Sequence, residues 1–149
     1  LRNKSNLHEE QLRFLRALAR FNQKGLLERS LQLSLASDVR TQDTVTLVTA
    51  VAANRCGRNL AWEFIKDNWS EFDRRYGGGG FAIMRLVSIT GGFTSYEQAQ
   101  DVEEFFRKHP SPSASRTIKQ CLERIRLNAE WLTRNGKDLE GWFSKASIG

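Results

Sequence analysis

Histidine is nearly absent from this sequence, and that scarcity bounds its chemistry. Only His8 and His109 occur in 149 residues, far apart along the chain. A hydrolytic zinc site built on one helix needs two histidines at i and i+4, so that both reach one ion from the same face. His8-Glu9-Glu10 has the first half of that pattern, but position 12 is Leu12. His8 therefore reads as a surface helix residue, and His109 as a helix-end residue whose partial positive charge suits the local dipole. No Gly-x-Ser-x-Gly elbow is present either, which removes the strained turn that exposes a serine nucleophile. The chain is expected to hold no catalytic residue and no metal ligand of its own.

Cysteine is equally scarce. Cys56 and Cys121 belong to no C-x-x-C pair, which argues against a thiolate metal site. Cys121 lies on a helical apolar stripe and reads as a buried thiol. Cys56 has Arg55 and Arg58 beside it, which favours a thiolate, but no base is in reach and a catalytic thiol is not expected. So few cysteines fit a reducing compartment.

Proline occurs only twice, and its scarcity favours long helices. No apolar run approaches the roughly 20 residues needed to cross a bilayer. The longest, Phe81 to Ile89, is interrupted by Arg85 and Ser88, and no membrane association is expected. The first ten residues are polar, without the apolar region of a signal peptide. A start at Leu1 rather than Met reads as a fragment or processed product. The glycine run Gly77 to Gly80 follows a helical pattern and leads into Phe81. A phosphate-binding loop would need a preceding strand and a following Gly-Lys-Ser/Thr, so a helix stop is the better reading. Of two Asn-x-Ser triplets, Asn3-Lys4-Ser5 and Asn68-Trp69-Ser70, the second falls within a helical pattern beside a Trp expected to be buried. A glycan there would disrupt packing.

What is present is helix. The net charge of +6 comes from 23 basic and 17 acidic residues that interleave, with no run of Lys and Arg longer than two. That is the pattern of a solvated, mixed-charge helical surface rather than a nucleic-acid face. About eight helices are predicted. The first spans Asn6 or Leu7 to Phe21, with Leu7, Phe14, Leu18 and Phe21 at helical spacing and Leu15 beside them. The second spans Lys24 to Ser34. The third is capped by Thr41 or Asp43 and runs to before Gly57; its Val45, Leu47, Val48, Val51 and Ala52 spread around the axis, which predicts burial on more than one side. The fourth, Asn59 to Tyr76, lines Ala61, Phe64, Ile65, Trp69, Phe72 and Tyr76 along one face. The fifth is Phe81 to Ile89. The sixth opens on a Thr94-Ser95-Tyr96-Glu97 capping box and ends at Lys108, before the stiff His109-Pro110-Ser111-Pro112 connector. The seventh runs from Ser115 to Arg134 and stops at Asn135-Gly136. An eighth, Asp138 to Ser144, precedes a loose tail. Successive antiparallel pairs with two-sided burial predict an all-α fold: a HEAT- or armadillo-like α-superhelix in a single domain over residues 1–149.

Several segments then become familiar in order. Val39-Arg40-Thr41-Gln42-Asp43-Thr44 resembles the Arg-Ser/Thr-Gln-Asp connector of the puromycin-sensitive and aminopeptidase N group of zinc aminopeptidases. The run from Ala53 through Asn54, Gly57, Arg58, Ala61, Trp62, Phe64 and Asn68 to Trp69 resembles that family's Asn-x-x-Gly-Arg-x-x-Ala-Trp-x-Phe-x-x-x-Asn-Trp signature. Arg75-Tyr76-Gly77-Gly78, Phe105-Phe106-Arg107-Lys108-His109-Pro110, and the helix carrying Ser115 to Gln120 and Ile125 to Leu132 follow in the family's order. The resemblance covers roughly Leu12 to Phe143.

The resemblance implies the C-terminal helical domain of a larger, cytoplasmic aminopeptidase, which releases N-terminal residues from peptides. The zinc and the catalytic residues would lie in an earlier domain of the parent, with no cofactor in this chain. The implied partners are that catalytic domain and the peptide substrate, whose chamber this region would close. Arg40 and Gln42 would face the peptide, an arginine suiting a carboxylate through paired charged hydrogen bonds; the alternative is that their segment only caps the third helix and orders a loop. Cut free from its partner surface, the chain is also expected to expose apolar area and self-associate. The competing function is a free-standing HEAT-like scaffold for a protein or acidic partner.

Overall fold

The computed structural model describes residues 10, 13–14, 16–37 and 39–146. It is all-helical, and no strand occurs among the described residues. The chain divides into two compact units, Leu1–Ile89 and Thr90–Gly149.

In the first unit, helical residues 16–18 lead through a turn to α1 (Lys24–Ser34), α2 (Thr41–Ala53), α3 (Arg58–Asp67), α4 (Trp69–Tyr76) and α5 (Phe81–Ser88). Helix α2 is the hub, packing on α1, α3 and α5. Its composition explains why: Leu47, Val48 and Val51 are each at most 1% exposed, and Val45 and Ala52 are buried beside them. A helix with apolar residues all round must be covered all round, as the spread of its valines predicts. At about 1.5–3 kcal/mol per fully buried aliphatic side chain, this helix dominates the unit's stability. The face of α3 and α4 predicted to be apolar is buried at Ala61, Ile65, Trp69, Phe72 and Tyr76 and half-buried at Phe64. Trp62 is buried too, with the Lys66 ammonium 5.7 Å from its ring centroid.

In the second unit a 3₁₀ turn ending at Gly92 leads to α6 (Tyr96–Lys108), and a second 3₁₀ turn (Pro112–Ala114) leads to α7 (Ser115–Ala146). The inward stripes meet as their spacing predicts. Ala99, Val102, Phe105 and Phe106 of α6 are buried, as are Ile118, Cys121, Leu122, Ile125 and Ala129 of α7. Asn128 Nδ2 donates to the Phe93 carbonyl at 3.0 Å, and Arg126 pairs with Glu103 at 2.8 Å. His109 ends α6 with its ring stacked on Phe105 at 4.5 Å.

The structure corrects five local expectations. The expected fourth helix is two, because Asn68 leaves helical geometry (φ −113°, ψ 19°) and its side-chain amide donates to the Phe64 carbonyl at 2.9 Å. The expected stop at Asn135-Gly136 is not used: α7 runs through it, neither residue adopts positive φ, and Asn135 Nδ2 donates to the Trp131 carbonyl at 2.9 Å. The capping box is displaced by one residue. Ser95 is the N-cap and accepts from the Gln98 N–H at 3.2 Å, while Gln98 Oε1 accepts from the Thr94 N–H at 3.0 Å. Neither Thr41 nor Asp43 caps α2, whose N-cap is Arg40. Phe14 and Phe21, expected on a repeating stripe, are 62% and 40% exposed; Leu18 is half-buried and Ala19 buried. Leu7, His8, Leu15, the Asn3 triplet and the last three residues lie outside the described residues.

Candidate functional site

The connector between α1 and α2 is tied down at the start of α2 by backbone and side-chain hydrogen bonds. The Arg40 carbonyl accepts the N–H of Asp43 at 2.8 Å, one of the donors that a helix start leaves without an intrahelical partner, and the N–H of Thr44 at 3.1 Å, which closes the first helical turn. Asp43 is buried in the first turn, where the dipole favours an acid. Thr44 is fully buried, and its hydroxyl donates to the Ser34 carbonyl at 2.6 Å, tying the start of α2 to the end of α1. Tyr76 of α4 donates its hydroxyl to the Thr41 carbonyl. Burial pushes the Tyr76 phenol above its usual pKa, so it remains a donor.

Arg40 and Gln42 are both exposed at this helix start. Among the described residues neither side chain has a hydrogen-bond or ion-pair partner, and the structure does not bring the two into contact with each other. Beside them lies an open groove of about 440 Å³ lined by Ala36, Ser37, Val39, Thr41, Arg74 and Arg75. Its charge comes from α4. Arg74 Nε and Nη2 donate to Glu71 Oε2 and Oε1 at 2.8 and 2.7 Å, and Arg75 Nε donates to Oε1 at 2.5 Å. Hydrogen bonds from Arg74 and then Arg75 hold the Glu71 carboxyl at a pKa of about 2, well below the usual 4.5. One carboxylate thus organises two guanidiniums, and the cluster keeps a net positive charge at the groove wall.

Helical periodicity sets Glu71 and Arg74 off the apolar stripe of α4 and does not by itself join them to the connector. The Glu71-x-x-Arg74-Arg75 spacing, i to i+3 and i+4 on a helix, signals the shared carboxylate. Nothing local signals that Tyr76 reaches back to Thr41 across 35 residues. Of the remaining candidates, Cys56 is exposed and Cys121 buried. Gly77 ends α4, and Gly79 and Gly80 adopt positive φ (115° and 103°) in the turn that leads into α5. Asn68 of the second Asn-x-Ser triplet is half-buried with its amide donating to the Phe64 carbonyl, and Trp69 beside it is buried.

No three His, Cys, Asp or Glu side chains come together to hold an ion among the described residues. No described helix is long and apolar enough to cross a membrane. What the geometry defines is an all-helical fold with a basic helix-start face beside an open groove. The chain belongs to the ERAP1-like C-terminal domain family, whose model matches residues 1–127. It is 35% identical over 136 residues to aminopeptidase N of Bos taurus, covering 88% of this chain, and 35% identical over 129 residues to aminopeptidase M1 of Arabidopsis thaliana, covering 86%. Aminopeptidase N of Rattus norvegicus is 31% identical over 97% of the chain. The chain spans only 14–15% of the length of these curated relatives.

Proposed function

We propose that this chain is the non-catalytic C-terminal domain of a zinc aminopeptidase, and that it closes the chamber in which the parent enzyme trims peptides from their N-termini. The zinc and the catalytic groups belong to another part of the parent. Arg40 and Gln42 face the distal part of the peptide, and Arg40 meets its carboxylate. The observation that carries this reading is the exposed pair on a backbone fixed by Thr44, Tyr76 and the Arg40 carbonyl. A receptor side chain on a pre-ordered backbone loses less entropy on binding than one on a loose loop.

The test is titration of the chain with a peptide carrying either a free or an amidated C-terminus, followed by amide chemical shifts. The free carboxylate is expected to shift residues at the start of α2 and to bind more tightly than the amide. Arg40→Ala is expected to abolish that preference. Exposed, and without a partner among the described residues, Arg40 is expected to change stability by no more than about 0.5 kcal/mol on truncation, so a lost preference would not reflect unfolding. Equal shifts from both peptides would remove Arg40 from the reading.

A further inference from the structure

Helix α4 brings two arginines to the groove beside the α1–α2 connector, and local spacing sets how they are held. Glu71, Arg74 and Arg75 stand at i, i+3 and i+4, so one carboxylate reaches both guanidiniums. Glu71 accepts from Nε and Nη2 of Arg74 and from Nε of Arg75. Arg75 also bears on the Tyr76 phenol, whose hydroxyl is anchored on the Thr41 carbonyl. A guanidinium carries five N–H donors, so each arginine is braced and still keeps donors for another acceptor. One carboxylate set against two cations leaves a positive charge over.

The two arginines are not equivalent. The Arg74 side chain is 69% exposed and that of Arg75 only 20%. Water screens a charge as open as Arg74. Arg75, largely covered, meets an anion at a lower effective dielectric, where the attraction is stronger. The rest of the lining suits a side chain rather than a bare ion. Ala36 and Val39 are apolar and half-buried, and Ser37 and Thr41 are exposed hydroxyl residues.

We propose that this groove takes the acidic side chain of a peptide, with the carboxylate on Arg75 and the methylenes on Ala36 and Val39. The ligand class follows from the donor, because a guanidinium presents paired N–H groups that match the two oxygens of a carboxylate. This site rests on the reading that peptides reach this face. It engages a different residue and a different carboxylate from Arg40, which is assigned the peptide's own C-terminus.

The test uses the 149-residue chain and a short peptide acetylated at its N-terminus and amidated at its C-terminus, with one central glutamate. The comparison peptide has glutamine there. Blocked ends leave the side chain as the sole carboxylate. In low salt the glutamate peptide is expected to shift the amides of residues 36, 37, 39 and 41, and to bind about threefold to tenfold more tightly than its twin. Arg75→Gln is expected to abolish that preference, and Arg40→Ala to keep it. Arg75→Lys retains a cation beside Glu71 and so guards against a variant that fails to fold. Its single ammonium replaces the fork, and it is expected to reduce the preference by about twofold to threefold. Equal affinity for the two peptides overturns the proposal, and so does a preference that survives Arg75→Gln. A preference lost in Arg40→Ala but kept in Arg75→Gln overturns it in favour of one carboxylate site at Arg40. Discrimination of glutamate from glutamine, lost in Arg75→Gln, without discrimination of free from amidated C-termini supports this site while removing Arg40 from the proposed function.

Discussion

A β-carbon built on Gly57 would stand 2.3 Å from the Val51 carbonyl oxygen and 2.8 Å from Val51 Cγ1. Both belong to α2, the most buried helix of the first unit, so the obstruction cannot move aside cheaply. Asn54, three residues earlier, fixes the same corner: its Nδ2 donates to the carbonyls of Ala19 and Phe21 at 2.9 and 2.8 Å, and its Oδ1 accepts from the Cys56 N–H at 2.9 Å. The Asn54-x-x-Gly57 segment is thus a folding device that turns the chain from α2 into α3. Gly57→Ala is expected to destabilise the protein by about 1–3 kcal/mol, read from the urea midpoint. Gly25 is the control, because it lies in α1 with open space around its missing side chain. Gly25→Ala is expected to stabilise by about 0.5–1 kcal/mol, since alanine is the better helix former. Equal effects at the two sites would mean that the Val51 contact does not govern the turn.

Helix α4 shows how an element carries charge to the candidate site. Its buried edge, Trp69, Phe72 and Tyr76, fixes its rotation, and that rotation sets Glu71, Arg74 and Arg75 along the groove. The folded pKa of Glu71 is depressed to about 2. The stabilisation from this cluster is therefore complete above the usual carboxylate value of 4.5, and it fades as pH falls from there through about 2. Glu71→Gln is expected to flatten that part of the stability–pH curve. A carboxyl-carbon NMR titration is expected to give Glu71 a midpoint near 2, and an ordinary midpoint would refute the shared-carboxylate geometry.

The same elements show what a sequence can disclose. The bounds of α1 follow from its leucine spacing, and the two-sided burial of α2 from its scattered valines. The break at Asn68 was hidden because Ile65, Trp69, Phe72 and Tyr76 keep helical spacing across it, and a side-chain amide bonding back to a carbonyl changes no hydrophobic pattern. Asn135-Gly136 misled in the opposite sense: glycine permits a helix stop without compelling one, at a cost of about 1 kcal/mol within a helix. At the candidate site, only the resemblance singled out Arg40 and Gln42, and their exposure at a helix start is a finding of the structure. The Tyr76 hydroxyl on Thr41 was not legible, because it depends on packing between residues distant in sequence.

For the molecule as a whole, scarcity of donors and family membership bear on the same question. The described part of the chain assembles no ion-binding cluster, and the chain matches only 14% of the length of the relatives it resembles. A resident metal that stabilised this fold would couple binding to folding, and a chelator would then lower the thermal midpoint. The expected outcome is that neither excess zinc nor a chelator shifts the melting temperature of the chain, and that the zinc-loaded chain leaves an aminoacyl reporter intact. The two readings separate different errors. A metal-dependent melting temperature without hydrolysis would reveal a structural ion that the described residues do not account for. Hydrolysis that purifies with the chain and is lost on chelation would defeat the assignment of the catalytic groups to another part of the parent.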